Sequence, residues 1–413
     1  MQLNQTLTIF IGLLLVTSCA KIETPNLNEF GLAEAEMLKK LDVEAGENKK
    51  RKIILKTGQT LFVESFKTPK VEYYKDFILI RPFLNEKKRI DCFLYIKKKN
   101  FGEHLNKIYE KLLIKKDVAR VLKIETGAID QYAFFKINSF LKDQRGKFYN
   151  PKIVSYRHGE KQITCSNSDL GHQKTFDRIT DNLLLSIDER NKLKVFYQNI
   201  YSVKQNSQSI GVVVEDLVKN QARLNIFRQE KIFARKLKNG ELEFLSQYNL
   251  ESLSSNFDLL EVLYQEKIGD YLKKQTTLIK QDAGLYQFIL SESNQTSEEI
   301  IKNPKVESTV LLRANAFRYL NSDENEDELD KDDYRSFVFF PDYKASGPTE
   351  ISLEENYSNE KYFLADVKFD KEMQLWRFDL SGNLNLIIRK FEGKKTVFKS
   401  EYLKPLKINT KVN

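Results

Sequence analysis

Three histidines, three cysteines and one dense run of carboxylates are the residues of this 413-residue chain whose types could do chemistry. Histidine serves as a metal ligand or a base when partners stand at set spacing, and His104, His158 and His172 show no such pattern; no two lie a helical turn apart beside a Glu. His104 falls on an expected helix whose apolar stripe it does not share and His158 in an expected turn, so each histidine reads as a surface residue. There is no G-x-S-x-G elbow, no Gly-rich phosphate loop and no S-x-x-K run in a useful setting. No catalytic residue and no metal ligand is therefore assigned, although paired carboxylates for glycoside hydrolysis would leave no mark in a sequence.

The carboxylate run is Asp323 to Asp333, with eight acids and one Lys. Asp323, Asn325 and Asp327 match the first ligand positions of a calcium loop. Glu328 stands where the sharp turn needs Gly, and Tyr334 where the bidentate Glu belongs, so the segment reads as a solvated acidic loop.

The most informative stretch is the amino terminus. Leu7 to Val16 is apolar apart from Thr8 and Gly12, and Val16-Thr17-Ser18-Cys19 follows with small residues before a cysteine. About ten apolar residues fall short of the roughly twenty that cross a bilayer, which fits a signal h-region. Val16 to Cys19 resembles the lipobox of bacterial lipoproteins. That resemblance implies a diacylglycerol on the Cys19 thiol, cleavage between Ser18 and Cys19, and an acyl chain on the new amino group. Ala20 after Cys19 resembles the arrangement sorted to the outer membrane in enteric-type systems. No other cofactor is expected.

With Cys19 given to lipid, Cys92 and Cys165 remain as a single possible pair. An oxidising compartment favours a disulfide between them, and closing a loop of that length contributes on the order of 4 kcal/mol in the chain-entropy picture. Two separate buried thiols, or a nucleophile with a distant His, are the other readings.

The formal charge of +9 is the sum of the acidic loop and a basic remainder. For an exported chain the anionic partners at hand are phospholipid, lipopolysaccharide or cell-wall polymer, and no nucleic-acid partner is expected. The membrane would be reached through the lipid.

The elements that must carry these residues read as mostly strand. Removing the first eighteen of 413 residues leaves 395, enough for two domains or one large β-rich unit. The divisions read as a signal peptide at 1–18, a lipidated tether at 19–52 ending in Lys49-Lys50-Arg51-Lys52, a body at 53–320 and a C-terminal antiparallel region at 335–413. Strands are expected at Ile53 to Lys56, Leu61 to Phe66, Phe77 to Ile80, Ile90 to Ile96, Val118 to Glu125 and Tyr132 to Phe140, with a hairpin at Ile153 to Cys165. Further strands follow at Val195 to Val203, Ile210 to Val218, Leu285 to Leu290 and Thr309 to Arg313, and Asn239-Gly240 marks a tight hairpin between Ile232 and Tyr248. Helical periodicity appears after Asn100, along Phe176, Ile179, Leu183 and Ile187, and from Ser255 through Leu272. From Ser336 to Leu403 closely spaced strands read as a meander, with Trp376, Phe378 and Leu380 facing a core.

The expected fold is thus α+β and β-rich: antiparallel sheets with a few covering helices and a C-terminal β-meander. Three functions fit it. One is a noncatalytic envelope protein that binds another envelope protein or polymer, the second a periplasmic carrier or acceptor of a hydrophobic ligand, and the third a cell-wall hydrolase.

Overall fold

The computed structural model describes residues 48–95, 105, 116–143, 145–158, 161–187, 195–219, 225–236, 242–269, 271–282, 284–293, 295–302, 306–320, 334–340, 345–353, 362–369, 372–391 and 394–405. The lipobox, the tether before Asn48, the acidic loop and, apart from Leu105, the stretch expected to be helical after Asn100 lie outside the described residues. Leu105 is helical and buried.

The first strands form a hairpin of β1 (Lys49–Ile54) and β2 (Thr60–Ser65), paired antiparallel from Lys49↔Ser65 to Ile54↔Thr60. A second sheet contains β3 (Lys70–Tyr73), β4 (Phe77–Arg81), β5 (Asp91–Tyr95), β6 (Lys116–Ile129), β7 (Tyr132–Asp143), β8 (Phe148–Tyr149), β9 (Lys152–His158) and β10 (Lys161–Asn167). Its order is β3-β4-β5-β10-β9-β7-β6, with β8 beside β7. The helix α1 (Gln173–Leu185) covers one face. Phe176, Ile179, Leu183 and Ile187, the stripe read from the sequence, are all buried there with Tyr156, Ile163, Leu61 and Val63. Buried Lys152 fixes the loop that leads into α1: its Nζ donates to the carbonyls of Asp169 at 2.6 Å and Gly171 at 2.8 Å.

The third sheet is larger. It runs through β11 (Val195–Gln205), β12 (Gln208–Lys219), β13 (Asn225–Lys236), β14 (Leu242–Leu253), β15 (Leu259–Ile268), β16 (Tyr271–Asp282), β17 (Leu285–Glu292) and β18 (Gln295–Lys302). After the helix α2 (Thr309–Leu320) come β19 (Tyr334–Phe340), β20 (Ala345–Leu353), β21 (Tyr362–Phe369), β22 (Glu372–Asp379), β23 (Leu384–Phe391) and β24 (Lys394–Lys404). All fourteen strands belong to one antiparallel sheet of order β18-β17-β16-β15-β14-β13-β12-β11-β24-β23-β22-β21-β20-β19. The join is β24 against β11, so strands from either side of the acidic loop share one ladder. Two-residue connections make such a meander local: Asn206 and Ser207 both have positive φ between Gln205 and its partner Gln208, the geometry whose twist matches paired strands. The pairing expected around Asn239-Gly240 is present, with Lys236 opposite Leu242.

The second and third sheets pack face to face. Strand alternation turns Ala133, Phe135, Ile137 and Ile153 toward Ile200, Val212, Val214, Ile232 and Phe244. Phe135 meets Phe244 edge-on with ring centroids 5.7 Å apart. Within this dry layer Arg157 of β9 pairs with Glu230 of β13, both side chains almost wholly buried.

The opposite face of the third sheet curves around α2. Glu215 of β12 and Glu251 of β14 reach the helix from one half of the sheet, while Trp376 and Phe378 of β22 and Leu384 of β23 pack on Leu312, Ala316 and Phe317 from the other. Both halves of the ladder therefore close on one helix.

This architecture corrects the α+β expectation. Apart from Leu105, the described residues are nearly all β, with α1 as a cover and α2 between the two halves of the large sheet. The helix expected from Ser255 to Leu272 is strand β15 with the start of β16. Leu259, Val262 and Tyr264 are buried, and ladders on both flanks decided the matter for a segment whose Leu, Val and Tyr fit either period. The expected N-terminal cap there is a turn, in which Ser254 Oγ accepts the N–H groups of Asn256 at 3.1 Å and Asp258 at 3.0 Å. Conversely, Thr309 to Arg313, expected as strand, opens α2; Ser308 Oγ accepts the Leu311 N–H at 3.3 Å, and Ala314 and Ala316 continue the helix. Trp376 and Phe378 are buried as expected, whereas Leu380 sits in the β22–β23 turn, 55% exposed.

Candidate functional site

The pairing of β5 with β10 brings the two remaining cysteines opposite one another, Cys165↔Cys92, and a disulfide joins them with Cα atoms 4.0 Å apart. Both are fully buried against α1. A paired, enclosed sulfur is no nucleophile, so this pair serves the fold.

The histidines are not all surface residues. His172 is buried, holds a left-handed φ of 63° just before α1, and its Nε2 lies 3.2 Å from Lys88 Nζ. It helps seat the loop that Lys152 also grips. His158 closes β9 instead of lying in the turn after it. His104 is outside the described residues. Among the described residues no group of three or more His, Cys, Asp or Glu side chains is placed to hold a metal ion, and no helix is long and apolar enough to cross a membrane.

Three arrangements of polar side chains stand out that the sequence did not mark. The first is the buried ionic cluster inside the curved sheet. Arg313 Nη1 donates to Glu215 Oε2 at 2.6 Å, Tyr197 donates to the same oxygen at 3.0 Å, and Gln229 Nε2 donates to Glu215 Oε1 at 2.6 Å. Burial opposes ionisation of Glu215, and Arg313 with these hydrogen bonds outweighs it, holding the carboxyl below its usual range. Burial, joined by the Glu215 charge, pushes both Tyr197 and Tyr201 well above the usual phenol range. Nearby, Glu251 accepts the Thr309 hydroxyl at 2.6 Å and its backbone N–H at 3.1 Å. There burial wins, and the carboxyl is pushed up to about 6 despite those hydrogen bonds. These groups are spent on one another; the cluster seats α2.

The second is a shallow cleft of about 90 Å³ beside α1, lined by Lys123, Glu125, Lys136, Asn138, Gln173 and Asp177. Lys136 Nζ lies 3.0 and 3.1 Å from the two oxygens of Asp181 and 3.9 Å from Asp177. The Tyr156 hydroxyl donates to Asp181 as well. Burial raises Asp177, with Asp181 and Glu125 adding to the effect and Lys136 and Gln173 opposing it. Two carboxylates one helical turn apart thus share a lysine. The space is well below the roughly 300 Å³ of ordinary small-molecule sites, and both acids face the one Lys136.

The third is an open surface at the start of the fold. On the outer side of the first hairpin Lys50, Lys52 and Ile54 alternate outward, and Phe62 stands opposite Lys52. Ile54 is 64% exposed and Phe62 43%. Lys50 Nζ lies 5.2 Å from the centre of the Phe62 ring. At the hairpin tip, the Lys56 backbone N–H donates to the Tyr73 hydroxyl at 3.0 Å, its Nζ lies 4.7 Å from the centre of that ring, and Tyr74 is exposed beside it. The sequence showed the basic cluster; the neighbouring rings became visible only when β1, β2 and β3 were placed.

No protein-family model and no curated protein matches the chain. Among solved structures, the crystal structure of a β-barrel-like protein of a domain of unknown function from Brucella abortus is similar to it, at 11% sequence identity and a TM-score of 0.38, over 52% of this chain and 98% of that one.

Proposed function

We propose that the protein is a lipid-anchored component of a bacterial envelope whose β-rich body binds another envelope protein or polymer without catalysing a reaction. The observation that carries this reading is Val16-Thr17-Ser18-Cys19 at the end of a short apolar run, ahead of a body of fourteen-stranded and eight-stranded sheets. The lipid sits on Cys19, and Ala20 favours the outer membrane. The body's interior supports a binder over a carrier of hydrophobic ligand: the curved face of the large sheet is occupied by α2 and its ion pair.

Two measurements test it. Cys19→Ala is expected to move the protein from the membrane to the soluble envelope fraction; an unchanged membrane fraction would refute the anchor. Extraction of the native protein in mild detergent, followed by mass spectrometry of everything that copurifies, is expected to give a reproducible protein or polymer partner. A stoichiometric lipid beyond the one on Cys19 would favour the carrier instead.

A further inference from the structure

We infer that the basic and aromatic surface formed by the first hairpin and the neighbouring tyrosines lies against an anionic phospholipid bilayer, the membrane that the Cys19 lipid enters. The inference rests on the anchored reading above and adds an orientation to it.

The charge comes first. Residues 48–76 hold eight basic side chains against three acidic ones. Two of those acids are already engaged: Glu64 with Arg178 at 2.7 Å and Asn182 at 2.6 Å, and Glu72 with Arg81 and the Tyr74 hydroxyl. Lys50, Lys52 and Lys56 remain exposed and point from the same hairpin. Each lysine near an anionic leaflet adds to the attraction, and the sum decays within a Debye length.

The apolar component distinguishes this surface from a merely soluble lysine-rich one. Ile54, Phe62, Tyr73 and Tyr74 are exposed among the cations, and lysines beside rings are the combination that suits a headgroup layer: rings with a polar end sink partway, and long alkyl stems keep the ammonium groups at the phosphates. The hairpin's other side cannot take this role, because Leu61 and Val63 are fully buried in the core under α1.

Position supplies the third argument. Asn48, where the described fold begins, lies twenty-nine positions after Cys19. At about 3.5 Å each, β1 stays within roughly 100 Å of the anchor. Docking is then intramolecular, so an affinity too weak to bind a free protein suffices to orient a tethered one.

The test uses the native protein added to vesicles of phosphatidylethanolamine and phosphatidylglycerol, or of phosphatidylcholine alone, with the rate of lysine acetylation read by mass spectrometry. Lys50, Lys52 and Lys56 are expected to react about fivefold more slowly, or slower still, on the anionic vesicles. High salt should restore their rates, and the exposed Lys302 and Lys404 should react equally on both. The substitution pair Lys50→Glu and Lys52→Glu should abolish protection of Lys56. Equal rates for Lys50, Lys52 and Lys56 on the two vesicles overturn the inference, as does equal protection of Lys302 and Lys404. The mass of the N-terminal peptide, read in the same experiment, separates the two claims: lipid on Cys19 without protection removes only the docking, and protection without lipid removes only the anchor.

Discussion

Arg313 of α2 and Glu215 of β12 form an ion pair at 2.6 Å inside the curved sheet, and both side chains are largely removed from water. Arg313 also faces Trp376, its guanidinium carbon 5.9 Å from the centre of that ring, so one side chain links the helix to both halves of the ladder. Arg313→Met is expected to destabilise the protein by about 3–5 kcal/mol, because it leaves Glu215 charged and buried. Adding Glu215→Gln should recover a large part of that loss. Urea unfolding of the two single variants and the double variant gives the coupling; additive losses would mean that the pair does not act as a unit.

Glu251 gives the stability curve a sign that can be checked. Its folded carboxyl is pushed from 4.5 up to about 6, chiefly by burial. The folded state therefore keeps this proton to higher pH than the unfolded chain does. The associated stabilisation is complete below about pH 4.5 and is lost as pH rises through 6, amounting to about 2 kcal/mol. Glu251→Gln mimics the protonated form. Relative to the parent it should gain about 2 kcal/mol between pH 4.5 and 7 and then hold level. A constant difference across that range would show that Glu251 ionises as freely in the folded protein as in the unfolded one.

Much of the strand content was legible because period-two runs ended at clear turns, as at Ile153 to Cys165 and around Asn239-Gly240. The stripe of α1 was legible for the equivalent reason at period 3.6. Other features were not. Leu260, Leu263, Tyr264 and Ile268 satisfied a helical count although their neighbours are β14 and β16, and nothing local reveals ladder partners. Thr309-Val310-Leu311-Leu312 looked like strand until Ser308 was seen to cap it. The ionic cluster joins residues ninety-eight positions apart, Glu215 and Arg313, and such pairs leave no spacing rule. His172 was misjudged because burial follows from a loop held by Lys152 and Lys88, not from its own neighbours. β3, β8, β18, β20 and most of β16 were missed as well, β20 because its Gly347-Pro348 argues against strand.

The disulfide is expected to matter through the unfolded chain. Cys92 and Cys165 are 73 positions apart, and in the chain-entropy picture a loop of that size contributes about 4 kcal/mol. Alkylation of the denatured, unreduced protein should leave both residues unlabelled. Reduction, or the pair Cys92→Ala and Cys165→Ala, should lower the unfolding midpoint and leave the later meander paired. Labelling of either cysteine without reductant would mean that the bond is not formed in the native protein.

Gly382 tests how tightly the β22–β23 turn is fitted to α2. Its φ is +80°, and a Cβ there would lie 2.5 Å from Cδ1 of Phe317, whose ring packs 5.6 Å from that of Phe378. The turn is otherwise set by Asp379 Oδ1, which accepts the N–H groups of Ser381 at 2.9 Å and Asn383 at 3.0 Å. Gly382→Ala thus meets two separate costs, a left-handed backbone at about 1–2 kcal/mol and overpacking at about 1–3 kcal/mol. They can be separated. In a Phe317→Ala background the clash has no ring to strike, so Gly382→Ala should lose only the backbone part, and the difference between the two backgrounds measures the clash. Equal losses in both would place the whole cost in the turn and show that α2 tolerates movement at Phe317. A smaller loss in the Phe317→Ala background would show that the helix is held against β22 and β23 by shape as well as by the Glu215 pair.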